Sequence, residues 1–405
     1  MSRISPPASR RPLTAVFAIA LGSFSVVVAE FVPVGALSQI SDGVAISEGT
    51  AGLLVTLPAL VGAVAAPVAT VLIRRLDRRA AIIGLTALII ISGILSVVAP
   101  NFAFLLASRA LLGISVGGIW AVAVSAASQL VPEKIAHTAS SMVFGAIAIG
   151  SVVTVPSATL IAAHTDWRWA FAASAAVAAI SVIVQLVLIP PIPAAGRVLL
   201  SDFRTLVSSG SAVAILAIVL LTVFAQFCAF TYVVPFLERV SELGATSVSL
   251  LVLVYGALTV VGNFGGGALL GRSVRGTAMA TLVAGTAGLA VLAIGGSVLV
   301  AAIVGLVLWG LAWGNIPVAL QHWLYTFGRG KFSTEAVNAT FTAVVQVGVA
   351  AGSFFSGVAV DAAGIRSSAV LGSSAMTLAL LVGAVLIVAT RPRRPRYVPD
   401  WQPIQ

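Results

Sequence analysis

The chain has 405 residues, of which 60% are hydrophobic and only 8% are charged. Water-soluble domains carry roughly a quarter charged residues, so a soluble fold is excluded because it would expose too much apolar surface. The formal charge of +10 comes from short groups of Arg and Lys between long apolar runs. This pattern indicates membrane topology and argues against a nucleic-acid partner. We therefore expect the lipid bilayer to be the solvent of this chain.

The first apolar run covers residues 13–38. Arg10 and Arg11 precede it, as basic residues precede the apolar core of a signal peptide. The run is far longer than the roughly 7–15 apolar residues of a cleaved signal. We interpret it as a retained first membrane span.

The remaining spans follow from the length that a helix needs, about 20 apolar residues for roughly 30 Å of hydrocarbon. The run at 80–99 meets this requirement without a single charge. The same criterion predicts twelve spans in all. After the first, they are 50–73, 80–99, 102–130, 138–163 and 168–190, and then 211–238, 247–270, 276–296, 298–322, 335–359 and 367–390.

Prolines, glycines and charges between Pro190 and Gly210 interrupt the series of spans. This composition predicts a cytoplasmic linker at 191–210. The linker separates an N-terminal bundle (1–190) from a C-terminal bundle (211–390), which a tail at 391–405 follows. The expected fold is an all-α, polytopic membrane protein with two six-helix bundles.

The distribution of basic residues predicts the orientation of the chain. With the N-terminus inside, 18 of the 22 Arg and Lys residues fall in inside loops or tails. Positive charge is retained on the cytoplasmic side, so we expect a multi-pass protein of the cytoplasmic membrane with both termini in the cytoplasm.

The two halves also resemble each other weakly. Arg75 and Arg272 close the second and eighth spans and are 197 residues apart. Parallel repeats of this kind place the substrate path at their interface. The alternative is that any even-numbered bundle has basic inside loops.

Glu30 and Arg109 are the two clear ionisable residues deep inside predicted spans. Each lies about seven residues from the outer end of its span, the first and the fourth respectively. Ionised groups are expensive in hydrocarbon, so they are paired, neutralised or in contact with water. We interpret Glu30 as a proton carrier and Arg109 as its partner. The alternatives are a glutamate that reaches the headgroups and an arginine that snorkels to the interface.

One face of the fourth span carries Arg109, Gly113, Gly117 and Trp120 at helical spacing. Glycines four residues apart are typical of close helix packing, and the alternative is a groove. Trp120 is then either the floor of that groove or an aromatic residue of the inner interface.

Uncharged polar and aromatic side chains in other spans are candidates to line a substrate cavity. Together with Trp120, these candidates are Gln226, Tyr232, Asn263, Trp309, Trp313, Asn315 and Gln346. They suit an uncharged or aromatic small molecule. Each is also typical of ordinary hydrogen bonding between helices.

No nucleotide-binding loop, metal-ligand spacing or catalytic cluster is present in the sequence. The chain is therefore expected to be neither an enzyme nor a holder of a metal or cofactor. Its energy would come from an ion gradient or the membrane potential, worth about 2.3 kcal/mol per charge per 100 mV. The alternative, a membrane-embedded sensor or enzyme, would need an appended soluble domain or a catalytic cluster.

Several motifs resemble the major facilitator superfamily. Within it, they are most similar to the bacterial twelve-helix drug:proton antiporters, such as arabinose-efflux, purine-nucleoside-efflux and chloramphenicol-resistance permeases. The motifs are AEFVPVGAL, APVATVLIRRLDRR, RALLGISVGGIW, TDWRWAFA, FTYVVPFL and GNFGGGALLGR. The resemblance extends over nearly the whole chain.

The resemblance implies roles for matching residues. Glu30 matches the family's membrane-embedded acid, and Arg109 with Gly113 matches the fourth-span motif implicated in proton transfer. The basic part of the gating loop between the second and third spans is matched by Arg75, Arg78 and Arg79.

The chain departs from the family pattern at two places. In the gating loop Arg74 occupies the acidic position, for which Asp77 is a partial substitute, and Thr70 replaces the leading glycine. The fifth-span motif of antiporters begins with Gly-Pro, and only Pro156 of that pair is retained.

The sequence thus predicts a secondary active transporter that exports a small molecule (a drug, a sugar or a nucleoside) in exchange for protons by alternating access. Spans 1, 4, 7 and 10 would line the cavity. The alternative is a proton-coupled importer of a sugar or another nutrient on the same fold. No oligomeric state is assigned.

Overall fold

A computed structural model describes residues 12–72, 77–192, 206, 208–270, 273–327 and 334–390. The described segments form helices joined by short connections. The helices of the first half are α1 (Pro12–Gly35), α2 (Leu37–Gly43), α3 (Glu48–Ala51), α4 (Leu53–Leu72), α5 (Arg78–Val97), α6 (Phe102–Gln129), α7 (Ala136–His164) and α8 (Trp167–Leu188). Those of the second half are α9 (Gly210–Phe230), α10 (Val233–Arg239), α11 (Ala245–Leu270), α12 (Val274–Gly295), α13 (Leu299–Phe327), α14 (Thr334–Ala363) and α15 (Arg366–Ala389).

Twelve helical segments in the described part of the chain are long and apolar enough to cross a membrane. They are α1, α3 continued by α4, α5 to α9, and α11 to α15, which confirms the predicted number of spans. Helical segments satisfy their backbone hydrogen bonds internally, as a bilayer requires. The fold is all-α and polytopic, as predicted.

The first and seventh spans end earlier than predicted. The first span was expected to end at residue 38 and the seventh at residue 238, but α1 ends at Gly35 and α9 ends at Phe230. A short second helix follows each break. In the second half the cause is Pro235, which has no N–H and whose ring excludes the carbonyl of Thr231 from a continuous helix.

The helices pack as two lobes with the same internal order. In the N-lobe (α1–α8), α1 packs on α7 and α8, α5 packs on α6 and α8, and α4 packs on α6. In the C-lobe (α9–α15), α9 packs on α14 and α15, α12 packs on α13 and α15, and α11 packs on α13. Every main pair in one lobe therefore has its equivalent in the other, which favours the parallel repeat over a coincidence of loop charges.

Close helix contacts repeat with the same register. A Cβ atom on Gly117 would lie 2.5 Å from the carbonyl oxygen of Gly62, and one on Gly314 would lie 1.9 Å from that of Thr259. Gly314 follows Gly117 by 197 residues, and Thr259 follows Gly62 by 197 residues. This is the spacing between the arginines that close the second and eighth spans, so it relates the lobes at the level of single contacts.

The main helix pairs that join the lobes are α4 with α14 and α7 with α11, and α3 adds contacts to α14. We call the end of the bundle where α1 begins the proximal end, and the end where α1 stops the distal end. Toward the proximal end, the interface helices expose large apolar side chains, among them Val64, Val261 and Phe264. In the described residues, the hydrogen bonds and ion pairs between lobes lie in the distal half or near the middle.

Candidate functional site

Glu30 lies in α1, a little more than one helical turn before the distal end of that helix. The residue is only 5% exposed. It therefore does not reach the headgroups, which was the alternative interpretation. Its carboxyl group accepts no hydrogen bond from any described residue, and it lies beside the charge of Arg109.

Arg109 points into the N-lobe and is 1% exposed, so it does not snorkel to the interface. Its guanidinium donates to three backbone carbonyls: Nη1 to Ala29 at 2.9 Å, Nε to Leu54 at 3.1 Å and Nη2 to Glu30 at 3.2 Å. The predicted direct ion pair between Arg109 and the Glu30 carboxylate is not formed. The two residues are adjacent, but the guanidinium bonds to the backbone of Glu30.

Two prolines explain why these carbonyls are free to bind an arginine. In an α-helix the N–H of residue i bonds to the carbonyl of residue i−4, and proline has no N–H. Pro33 of α1 therefore leaves the Ala29 carbonyl without its helical donor, and Pro58 of α4 does the same for Leu54. Arg109 supplies the missing donor to both. Sequence reasoning missed this anchor, although both prolines are visible in the sequence.

The result is a cation held in a fixed place beside a carboxyl group that has no partner of its own. Attraction between opposite charges is strong where water is excluded. An ionised Glu30 is thus drawn toward Arg109, whereas a protonated Glu30 is not. The arrangement can convert the binding of one proton into a change in the forces within the N-lobe.

A second polar cluster lies at the corresponding place in the C-lobe. The indole Nε1 of Trp309 donates to Oε1 of Gln226 at 2.6 Å, and Nε2 of Gln226 donates to the hydroxyl of Tyr255 at 2.8 Å. The rings of Tyr255 and Trp309 have centroids 4.6 Å apart. Gln226 and Trp309 were predicted site residues, whereas Tyr255 was not. We call these three residues the C-lobe triad.

Aromatic rings connect the triad to the neighbourhood of Glu30. Phe31 of α1 contacts Phe230 with a centroid distance of 5.5 Å and Phe227 at 6.2 Å. Phe230 contacts Tyr255 at 5.8 Å, and Trp313 contacts Phe227 at 6.4 Å. Phe31 and Trp313 are half-buried, and the rings between them are buried. The cluster crosses the lobe interface, and only Trp313 of its members was predicted.

Glu30 and Gln226 occupy equivalent places in the repeat. The segments Ala29–Phe31 and Ala225–Phe227 read Ala-Glu-Phe and Ala-Gln-Phe, 196 residues apart. Val27 and Val223, also 196 residues apart, each pack on a glycine of the fifth membrane-spanning helix of their lobe. The N-lobe therefore carries an acid where the C-lobe carries the matching neutral amide.

The other predicted cavity residues lie in several places. Tyr232 is a correction, because it is fully buried in the distal interface, where its hydroxyl donates to the carbonyls of Gly49 (3.3 Å) and Ser353 (3.1 Å). Asn263 is exposed and donates to the carbonyl of Gly314 at 3.2 Å, which joins α11 to α13. Trp120 is half-buried and borders a small gap within the N-lobe.

Two further amides are buried without partners. Neither amide atom of Asn315 forms a hydrogen bond with a described residue, and Nε2 of Gln346 has none either. A Cβ atom on Gly62 of the N-lobe would lie 3.0 Å from Nε2 of Gln346. Gln346 thus reaches across the lobe interface, as a cavity residue would, whereas Asn315 faces Gly266 within the C-lobe.

The predicted gating loop is described only in part, since Arg74 and Arg75 lie outside the described residues. Asp77 caps α5 by accepting from the backbone N–H of Arg79 (2.9 Å) and from that of Ile192 (2.9 Å). The Arg78 guanidinium donates to the Ser125 hydroxyl at 2.9 Å, and that of Arg79 donates to the Leu186 carbonyl at 2.8 Å. These contacts stay within the N-lobe, so the gating role remains a prediction.

The residues predicted to pack helices lie at close contacts. A Cβ atom on Gly113 would stand 2.7 Å from the Pro58 carbonyl oxygen, so this face of α6 is filled by α4 and leaves no groove. Gly117 packs on α4 in the same way. The Pro156 carbonyl accepts from the Ser249 hydroxyl at 3.0 Å, a bond that joins α7 to α11 across the lobe interface.

Polar contacts close the distal end between the lobes. Arg239 forms an ion pair with Glu48 at 2.8 Å. The carboxylate of Asp361 accepts from the backbone N–H of Gly49 at 3.0 Å and from the Ser47 hydroxyl at 2.7 Å. We call the set Ser38, Ser47, Glu48, Gly49, Tyr232, Glu238, Arg239 and Asp361 the distal seal. It connects α2 and α3 of the N-lobe to α9–α10 and α14 of the C-lobe.

Known proteins with similar sequences are transporters. Residues 19–329 match the Major Facilitator Superfamily. The chain is 31% identical over 373 residues to the purine ribonucleoside efflux pump NepI of Escherichia coli strain 536 / UPEC, covering 92% of this chain and 93% of that protein. The NepI protein of Escherichia coli strain K12 is 30% identical over the same length.

Solved structures share the fold at low sequence identity. A variant of the nucleoside transporter NupG superposes with a TM-score of 0.77 at 12% identity, covering 93% of this chain and all of that one. A bacterial homologue of the human lysosomal transporter Spinster, in an inward-facing and unoccupied conformation, gives a TM-score of 0.71 at 15% identity and covers 95% of this chain and 96% of that one. The sequence match and the two-lobe architecture together show that this chain belongs to the major facilitator superfamily and is a membrane transporter rather than an enzyme.

Proposed function

We propose that this transporter exports a small neutral solute in exchange for protons, by alternating access between its two lobes. The observation that carries the proposal is the buried Glu30 carboxyl, which lies beside the fixed guanidinium of Arg109 and accepts no hydrogen bond from the described residues. A transporter driven by protons needs one group that exchanges a proton inside the protein, and Glu30 has the surroundings for this.

The coupling follows from two competing costs. An ionised Glu30 is attracted to Arg109 but is poorly solvated, whereas a protonated Glu30 is neutral and loses that attraction. Proton binding thus changes how tightly α1 is held within the N-lobe. Because Phe31, the next residue, contacts the C-lobe rings, a shift of α1 is transmitted to the lobe interface. This would link the proton to the change between the two open states.

The side chains at the lobe interface are suited to an uncharged ligand with an aromatic part. The guanidinium of Arg109 is already satisfied by backbone carbonyls, so it is poorly placed to bind an anion. The aromatic cluster and the unpaired amide of Gln346 offer stacking and a few hydrogen bonds. NepI relatives are named as purine ribonucleoside efflux pumps, and a purine ribonucleoside combines the neutral and aromatic features required. We propose this class as substrate, with Trp120, Trp313 and Gln346 as lining residues.

The orientation and the domain limits belong to the same proposal. The proximal end would face the cytoplasm, both termini would be cytoplasmic, and the membrane would be the cytoplasmic membrane. The bundles would cover 1–190 and 211–390, with a linker at 191–210 and a tail at 391–405. The Arg and Lys distribution supports this orientation. A topology reporter fused after α15 should therefore show the activity of a cytoplasmic fusion, and periplasmic activity would reverse the assignment.

The decisive experiment replaces Glu30 by Gln, which has the same shape but cannot release a proton. In everted membrane vesicles across which a pH gradient is imposed, we expect the wild type to accumulate labelled purine ribonucleoside. We expect Glu30→Gln to lose gradient-driven accumulation, by at least tenfold, while still exchanging labelled for unlabelled nucleoside at equal concentrations. Exchange needs lobe movement but no net proton flow.

Glu48→Gln is the matched control, because Glu48 is also buried but lies in the distal seal. It should change the rate of transport and not its dependence on the gradient. Gradient-driven accumulation by Glu30→Gln equal to that of the wild type would reject the coupling role. Uptake into intact cells instead of export, driven by the same gradient, would favour the importer.

A further inference from the structure

The hydrogen bonds of the C-lobe triad have a fixed direction. The indole N–H of Trp309 can only donate, so the atom of the Gln226 amide that faces it at 2.6 Å is the oxygen. The amide nitrogen therefore faces Tyr255 and donates to the tyrosine oxygen at 2.8 Å. Each bond of the triad follows from the donor-only character of one indole.

This direction leaves a donor unused. Because the Tyr255 oxygen accepts from Gln226, the tyrosine proton must be donated elsewhere. No described residue accepts a hydrogen bond from it, although Tyr255 is only 3% exposed. A buried hydroxyl normally finds an acceptor. Tyr232, the other fully buried tyrosine discussed above, donates to two carbonyls.

The fold itself does not require the triad. In the N-lobe the positions 197 residues before Tyr255 and Trp309 are Pro58 and Leu112. Gly113 packs on Pro58 as Gly310 packs on Tyr255, with the would-be Cβ 2.7 and 2.9 Å from the two carbonyl oxygens. The same helix contact therefore forms with or without the polar side chains. The triad is an addition in one lobe only.

The side chains around Tyr255 indicate which kind of acceptor its unused hydroxyl hydrogen could bond to. The rings of Tyr255, Trp309 and Phe230 contact one another, with centroid distances of 4.6 Å (Tyr255–Trp309), 5.8 Å (Tyr255–Phe230) and 6.5 Å (Trp309–Phe230). Phe31 of the N-lobe contacts Phe230, and the half-buried Trp313 lies one helical turn proximal to Trp309. The hydroxyl is thus within a wall of aromatic faces beside the lobe interface. Such a site favours a flat ring that stacks and also accepts one hydrogen bond.

We infer that the Tyr255 hydroxyl, oriented by Gln226 and Trp309, is the hydrogen-bond donor that recognises a ring acceptor of the transported heteroaromatic solute. The N-lobe then carries the proton and the C-lobe reads the substrate, through residues at equivalent repeat positions, Glu30 and Gln226. The inference rests on the proposed function for the identity of the ring.

The test pairs one protein variant with altered ligands. Tyr255→Phe keeps the ring and removes the proton. Binding of adenosine to the purified protein is compared with binding of the three adenosine analogues in which the ring nitrogen at position 1, 3 or 7 is replaced by C–H. We expect Tyr255→Phe to weaken adenosine binding about tenfold, because one neutral hydrogen bond is lost. The wild type should bind one of the three analogues as weakly as Tyr255→Phe binds adenosine. For that analogue, Tyr255→Phe should bind as well as the wild type does.

Tyr232→Phe is the matched control, because it removes another buried hydroxyl, one that already donates to carbonyls of the distal interface. It should lower the affinities for adenosine and all analogues by the same factor. Gln226→Leu, which removes the group that orients the hydroxyl, should reduce discrimination between adenosine and the critical analogue in the same direction as Tyr255→Phe.

The outcomes separate this inference from the proposed function. If Tyr255→Phe weakens the binding of adenosine and of every analogue by the same factor, the hydroxyl is only structural. The inference is then overturned, whether or not Glu30 couples transport to protons. If wild type and Tyr255→Phe bind adenosine equally well, it is overturned as well. If the wild type binds no purine nucleoside, the inference fails for that ring, while the Glu30→Gln experiment still decides proton coupling with whichever solute the cells export.

Discussion

At the scale of single residues, the site depends on two prolines, each of which lacks the N–H of a regular helical hydrogen bond. A guanidinium has five N–H donors and cannot be deprotonated in practice, so burying it requires several acceptors in fixed positions. Pro33 and Pro58 supply two of them by leaving the Ala29 and Leu54 carbonyls free. The positive charge can therefore stay in the membrane interior without using the Glu30 carboxylate. That carboxyl accepts no hydrogen bond from a described residue, as the proposed proton carrier requires.

Pro33→Ala tests this explanation. The new backbone N–H can bond to the Ala29 carbonyl and compete with Arg109 for it. A hydrogen bond to a charged group contributes about 1.5–3 kcal/mol, so we expect gradient-driven transport to fall roughly tenfold, and Pro33→Ala with Pro58→Ala to fall further. The measurement is the initial rate of transport at equal protein abundance.

Pro67→Ala provides the control for the proline experiment. Pro67 lies in α4 as Pro58 does, but the carbonyl four residues before it does not bond to Arg109. This variant should transport at the rate of the wild type. A Pro33→Ala protein as active as Pro67→Ala would show that the freed carbonyls do not position the arginine.

At the scale of helices, glycines set the distance between the second and fourth spans of each lobe. Gly117 and Gly314 are equivalent in the repeat, and a Cβ atom on either would lie well inside contact distance of a backbone oxygen on the neighbouring helix. Backbones cannot move aside as a flexible side chain can. The glycine face of α6 is therefore a packing face, and Arg109 is carried on the same helix at the depth that this contact fixes.

Gly117→Ala and Gly314→Ala should destabilise the protein to a similar extent, by about 1–3 kcal/mol each, because each methyl group overpacks the same contact. The measurement is the midpoint of thermal unfolding of purified protein in detergent. Gly84→Ala is the control, since nothing lies within 4 Å of the position that its Cβ would take. If Gly84→Ala lowers the midpoint as much as the other two variants, the destabilisation comes from any added methyl group and does not depend on close helix contact.

At the scale of the whole molecule, the described polar contacts between the lobes are concentrated toward the distal end. The distal seal has several members because α2 and α10, at equivalent repeat positions, bring polar residues of both lobes to the same end. Arg239 is about half exposed (54%) while Glu48 is nearly buried (6%). Partly exposed ion pairs contribute about 0.2–1 kcal/mol. In the proposed alternating-access cycle, this ion pair would therefore break at little cost.

Exchanging the charges of the ion pair tests whether the seal controls the state. Glu48→Arg alone places two cations together and should shift the protein toward a distal-open state, by about two- to fivefold in the ratio of states. Glu48→Arg combined with Arg239→Glu should restore much of the original ratio. The measurement is the distance distribution between spin labels on α2 and α10. A double variant as open as the single one would show that the pair does not hold the distal end closed.

Much of this protein could be predicted from the sequence because a bilayer imposes few solutions. Twelve apolar runs of sufficient length must form twelve helices, since backbone groups in lipid have no other partners. The breaks after Gly35 and Phe230 were missed because the apolar runs continue through them. Pro235 interrupts the seventh span through its backbone geometry, which hydropathy does not measure.

The candidate site was predicted in part, for a related reason. Glu30 and Arg109 stand out in the sequence because a charge in an apolar run is expensive wherever the helix faces. Gln226 and Trp309 were included only among many polar candidates. Tyr255 was missed, and Tyr232 was placed in the cavity although it lies in the distal seal. Neutral side chains carry no such cost, so their position along a span does not tell which neighbour they meet.

The sequence by itself determined the solvent, the number of spans, the superfamily and the two buried charges. The solvent, the number of spans and the two buried charges depend on the cost of placing a residue in hydrocarbon, which is local and needs no knowledge of neighbours, whereas the superfamily followed from motifs that resemble known members. Only the tertiary structure decided that Arg109 bonds to two carbonyls freed by prolines, and that Gln226 orients Tyr255. Those contacts join residues from different helices, and their geometry depends on how the helices pack within each lobe.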